Sequence, residues 1–220
     1  MGILSQVFYS FCRKTSKKGE REQPMNSKQQ EKLINAITYF VNNTSYCNKV
    51  KLFKLLYFLD FEHFSEAGKS VTGLDYYAWK KGPVPLQLKY TIQEILNGNT
   101  QEEDESSLRD ILNSSFSFYE DPKSKKLTIE PKMAFISDVF TRREHRILQK
   151  LVEEYKNKLA DEMILATHNS DGPWDITYKQ QPDERIDYFL ALTSESPVKK
   201  EEVLEREFEN KEIRMSYGLK

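Results

Sequence analysis

The chain has 220 residues, enough for one domain with additions or at most two small ones. Its 33 Lys and Arg balance 34 Asp and Glu for a net charge of −1, which argues against the strongly basic footprint of a dominant nucleic-acid binder but leaves a local basic patch open. At 38% hydrophobic and 12% aromatic residues it can bury a core, which excludes wholesale disorder.

Residues 1–25 read as an N-terminal extension. Ile3, Leu4, Val7, Phe8 and Phe11 fall on one helical face and Arg13, Lys14, Lys17 and Lys18 follow, so an interfacial helix and a loosely attached tail both fit. A secretory signal does not fit, because the positive charges come after the apolar part. Leu33, Ile34, Ile37, Phe40 and Val41 then recur at helical spacing and predict a helix over 28–43. Asn48 or Ser45 is placed to cap the next one.

That next helix, over 49–66, is apolar on nearly every side, from Val50 and Leu52 through Leu55, Leu56 and Tyr57 to Phe61 and Phe64. Such a helix is a buried one, here predicted to be the hub, with Gly68 as its stop. Its charges run against the helix dipole, with Lys49, Lys51 and Lys54 early and Asp60, Glu62 and Glu66 late. Two readings fit: solvated side chains, or a positive edge for an acidic partner.

Residues 74–79 read as a short strand, followed by a helix over 85–97 with Leu88, Ile92, Ile95 and Leu96 on its stripe. The acidic run 101–107 reads as a solvated loop and the stretch around Leu108, Ile111 and Leu112 as a short helix. Phe116 and Phe118, then Leu127 and Ile129, flank a turn and predict a β-hairpin. Thr141 and Glu144 form a capping-box pattern ahead of a helix carrying Ile147, Leu148, Leu151, Val152 and Tyr155. A short helix over 159–167 follows. The charged extension 177–220 is expected to hold a helix over 198–212, with a thin stripe of Val203, Leu204 and Phe208. The predicted fold class is mainly α (α+β): a compact helical domain over 26–176 around a buried central helix, with a small antiparallel β-hairpin element.

No catalytic signature stands out. Cys12 and Cys47 lack metal or redox spacing, which makes a reducing cytoplasm the default compartment, and there is no H-E-x-x-H pair or Gly-rich phosphate loop. No metal or cofactor is expected, and no apolar run approaches the roughly 20 residues of a membrane span. His168, Asp171 and Asp175 fit either a metal or acid–base cluster, and hence a hydrolase, or a helix-end histidine beside turn-shaping aspartates. Lys123, Lys125 and Lys126 at the hairpin tip fit either the wing of a DNA-binding regulator or a soluble turn. Two Gly-Pro pieces stand beside tryptophans, "AWKKGPV" and "THNSDGPW". They read as sharp corners that anchor Trp79 and Trp174 on the hub helix, or as a preformed groove for another protein.

Taken together, three stretches resemble the Panacea domain of SocA-like antitoxins. Lys51, Leu52, Lys54, Leu55, Leu56, Tyr57 and Phe58 match that family's lysine-bearing aromatic helix. Ala78, Trp79, Gly82, Pro83 and Val84 match its A-W-x-x-G-P-V turn. Thr167, His168, Gly172, Pro173 and Trp174 match its late segment, where Ala166 replaces the usual leucine. The resemblance covers about residues 32–174. It implies a small cytoplasmic protein of a prokaryote or phage, without enzymatic activity or cofactor, that neutralises a cognate toxin by protein–protein contact. A protease or chaperone is a further partner if neutralisation proceeds by delivery. The shared residues, Lys51, Lys54, Leu55, Tyr57, Trp79, Gly82, Pro83, Val84, His168, Gly172, Pro173 and Trp174, are then scaffold and possible partner surface. The alternative is a nucleic-acid-binding transcriptional regulator using the hairpin and the basic helix end.

Overall fold

The computed structural model describes residues 25–98, 108–168 and 170–217. The expectations for the N-terminal extension and for the acidic loop 101–107 lie outside these residues. Helix α1, Ser27–Asn43, opens with a reciprocal capping box between Asn26 and Gln29. Helix α2, Lys49–Ala67, is capped by Asn48, whose side chain accepts from the Lys51 N–H at 3.1 Å. It ends at Gly68 in the left-handed conformation at φ 67°, where the N–H returns to the Phe64 carbonyl. Twelve of the nineteen residues of α2 are buried, so it is the hub.

The aromatic strand and the Gly-Pro stretch behind it are one unit. Strand β1, Tyr76–Trp79, pairs antiparallel with β2, Gly82–Pro85, across the two-residue loop Lys80–Lys81. The expectation of a single strand, a corner and then a helix from 85 is corrected here: "GPVP" is itself extended. The pleat explains how two prolines fit. Ala78 turns both its N–H and its C=O toward residues 183 and 184 on its other side, and the Tyr76 carbonyl meets Ile186 there. The bonds to β2 therefore come from Tyr77 and Trp79, opposite Val84 and Gly82. Pro83 and Pro85 sit in the other phase, where a missing N–H faces away from the ladder.

Helix α3, Leu86–Leu96, continues from β2. Helix α4, Leu108–Ser115, leads into the hairpin β3, Phe116–Glu120, and β4, Leu127–Pro131, in the predicted alternation: Phe116, Leu127 and Ile129 are buried. Helix α5, Arg142–Tyr155, starts with the Thr141–Glu144 capping box. Helix α6 is Ala160–Thr167. Helix α7, Pro173–Gln180, grows out of the second Gly-Pro piece with proline in its first turn. Helix α8, Lys200–Ser216, closes the described chain. The fold is mainly α, with two small antiparallel sheets among the described residues, and α1, α5, α6 and β2 all pack on α2.

Residues past 176 join the same core. Besides the pairing of 183–186 with β1, Ile186, Ala191, Val198 and Val203 are buried in it. The Tyr188 ring stacks on Phe61 at 4.4 Å between centroids, and its hydroxyl donates to the Leu74 carbonyl at 2.7 Å.

Candidate functional site

The three resembling stretches converge where α2, the β1–β2 hairpin, α6 and α7 meet. At the centre is Lys54, 2% exposed. Its Nζ donates at 2.7 Å to the carbonyl of Pro83, which lies on the side of β2 away from the ladder. A buried side-chain amine thus satisfies a carbonyl that would otherwise be an orphan strand edge. Burial pulls the amine down to about 7, because the charged form has lost its water. Gly82, at φ 92°, lets the strand come this close. A Cβ there would stand 2.6 Å from Thr167 Oγ1 and 2.7 Å from Lys54 Nζ.

The second Gly-Pro piece delivers Trp174, which is buried. Its indole N–H donates to the Trp79 carbonyl at 3.0 Å, and its ring lies flat on His168, 4.0 Å between centroids and 3° from parallel. Tyr178 stacks on the same indole at 5.0 Å. His168 Nε2 is buried with no hydrogen-bond partner among the described residues. Burial first, and then the nearby Lys54, lower its pKa, with Asp175 opposing. Tyr57 is buried against Phe61 and Tyr76, and burial raises its hydroxyl while the Trp174 backbone N–H opposes. Leu55 is fully buried and Val84 half-buried. Trp79 itself is half-buried and carries Lys89 Nζ 4.8 Å above its ring. The expectation that both indoles anchor on the hub is corrected: Trp174 joins the core, while Trp79 contributes its backbone carbonyl and keeps its ring outside the core, under Lys89.

Both readings of the early lysines are overturned. Lys51 is fully buried, and its Nζ donates to the carbonyls of Ser45, Lys156 and Lys158 at 2.8, 3.0 and 2.8 Å. It staples the loop before α2 to the loop between α5 and α6, and burial lowers its pKa. Only Lys49 is partly exposed, and it faces Glu120 at 3.7 Å. The lysines form neither a solvated face nor a positive edge, because segments distant in sequence cover them. Toward the other end of α2, Asp60 is fully buried. It accepts from the N–H groups of Val71 and Thr72 at 2.8 and 2.7 Å, from the Tyr76 hydroxyl at 2.7 Å and from the Thr72 hydroxyl. Burial pushes this carboxyl up to about 6 against those four donors. Sequence reasoning treated Asp60 only as a charge misplaced on the dipole. Its partners, eleven to sixteen residues away, gave no local signal.

The other candidates have structural partners. Asp175, in the first turn of α7, bonds Lys179 at 2.7 Å and accepts at 3.0 Å from the N–H of Asp171, which precedes the Gly172 cap. Among the described residues no three His, Cys, Asp or Glu side chains are grouped to hold a metal ion. At the hairpin tip Lys123, Lys125 and Lys126 are exposed, and the turn is shaped by Asp121, which accepts from the N–H groups of Lys123 and Ser124.

A family model described as the antitoxin SocA-like Panacea domain matches residues 52–175, more than half of the chain. The chain belongs to this family. Its Panacea domain opens one residue into α2 beyond Lys51 and closes in the first turn of α7. Lys54, Gly82, Thr167, His168 and Trp174 all lie inside it, while α1, residues 183–186 and α8 lie outside. Comparison with curated proteins and with solved structures gave no match.

Proposed function

We propose that this Panacea-domain protein is an antitoxin that binds and neutralises a cognate protein toxin, encoded beside it, through protein–protein contact in the cytoplasm. The family match carries this reading. The site chemistry supports it, because Lys54, Gly82 and Trp174 use their polar atoms and their shape on backbone groups of the same fold. These residues work as scaffold, and recognition falls to the exposed surface of the fold. No described helix is long and apolar enough to cross a membrane.

Expression of the neighbouring gene alone should arrest growth, and co-expression of this protein should restore it. Titrating purified antitoxin against the toxin should neutralise it in proportion to a fixed stoichiometry. Failure of every neighbouring product to be rescued sinks the reading. Neutralisation by trace amounts would show turnover and replace it with an enzymatic one.

A further inference from the structure

Among the described residues α8 buries one side chain, Val203, and its first residue, Lys200, sets its Nζ 5.0 Å above the Phe189 ring. Val203 packs at Gly68, where α2 ends. Beyond it the helix exposes Ile213 on one face and, on another, Leu204 at 46%, Phe208 at 62% and Met215 at 68% of their surface. At 3.6 residues per turn these three fall within about 40° of one another, and about 120° from Val203. They form a stripe that the described residues leave uncovered. Along one flank run Glu201, Glu205, Glu209 and Glu212, all exposed. Like charges four residues apart destabilise a helix by a few tenths of a kcal/mol each. Among the described residues the helix answers only one of its glutamates, Glu202, with an ion pair, to Arg206 at 3.9 Å. An uncovered apolar stripe beside a row of uncompensated carboxylates is complementary to a helix of opposite charge.

We propose that this face of α8 grips the toxin through a basic amphipathic helix of the toxin. Its apolar ridge lies along Leu204, Phe208 and Met215, and its Lys or Arg row meets Glu201, Glu205, Glu209 and Glu212. This rests on the antitoxin reading and gives it a surface. The location is consistent with a partner-specific role, since α8 lies outside the family-matched residues. The carboxylate row steers encounter and fixes register, while the apolar stripe holds the complex.

The test uses the full chain, the toxin from the neighbouring gene, and two variants that leave Val203 in place: L204S/F208S and E201K/E205K/E209K. Both should melt with the wild type, bind the toxin at least tenfold more weakly, and fail to rescue growth. Wild-type affinity should fall as salt rises, and fall less in the charge-reversed variant. Hydrogen exchange should show 204–215 protected only when toxin is present. Wild-type binding by both variants overturns this surface while leaving the antitoxin reading intact. Protection already present in the free chain, and lost when residues 1–24 are removed, overturns it in favour of the chain's own N-terminal segment. Protection that grows with protein concentration overturns it in favour of a second copy. If the wild type binds and rescues no neighbouring product, both readings fall together.

Discussion

Lys51 and Lys54 stand one turn apart on α2, both buried, yet they do different work. Lys51 has three carbonyl acceptors from two loops, and Lys54 has one from a strand edge. Replacing Lys51 with Met strands three carbonyls and should cost about 3 kcal/mol in urea unfolding. Replacing Lys54 with Met strands one carbonyl but removes a buried amine, so at pH 7 the net change should stay within about 1 kcal/mol. The pH dependence separates them further. The folded pKa of Lys54 lies near 7, below the unfolded value of 10.5. Its contribution is therefore fully present above 10.5 and lost as pH falls through 7. Wild type should gain on Lys54→Met by on the order of 3 kcal/mol between pH 7 and 10. A constant difference over that range would refute the buried-amine account. Asp60 has the opposite sign. Its folded pKa near 6 lies above the ordinary 3.8, so its contribution is complete below 3.8 and lost as pH rises through 6.

At the scale of elements, the β1–β2 hairpin shows what a sequence hides. Tyr76, Tyr77 and Trp79 announce a strand by their side chains. Pro83 and Pro85 argue against its partner, because composition does not show that they occupy the phase facing away from the ladder. The hub α2 was legible for the converse reason: apolar residues on all sides leave no exposed face to argue about, and caps at Asn48, Gly68 and the Thr141–Glu144 box need only neighbours within four residues. The burial of Lys51, Lys54 and Asp60 was not legible. Lys51 and Lys54 are satisfied by carbonyls 6 to 107 residues away and Asp60 by donors 11 to 16 residues away. The element-level prediction concerns Gly82. An alanine there meets both the φ of 92° and the contacts with Thr167 and Lys54, and should cost about 2–4 kcal/mol. Gly98 also has positive φ, at 65°, but nothing lies within 4 Å of its Cβ position, so the same change should cost about 1 kcal/mol. Equal losses would show that the close approach of β2 to α2 does not matter.

For the whole molecule, the question is where the packed body ends. The family match stops at residue 175, yet the hydrogen bonds do not. The N–H of Ala78 meets the Glu184 carbonyl, the Asp183 N–H meets Ala78 and the Ile186 N–H meets Tyr76, so residues 183–186 complete the outer side of β1. Ile186, Val198 and the stacked Tyr188 then fill the core beside Phe61 and Phe64. Nothing in the charged sequence around them signals this, because each partner lies more than 100 residues upstream. A chain ending at 182 would leave three β1 groups and the aromatic cluster open to water. It should show no cooperative thermal transition by circular dichroism. A chain ending at 199 keeps all of that and loses the Lys200 contact with Phe189 and the anchorage of Val203, the latter worth about 2 kcal/mol of apolar burial. It should fold, melt a few degrees lower, and no longer hold the toxin. Cooperative melting of the shorter chain would confine the folded unit to the family-matched part and make the segment after it an appendage. Retained toxin binding by the longer one would separate α8 from recognition without touching the fold.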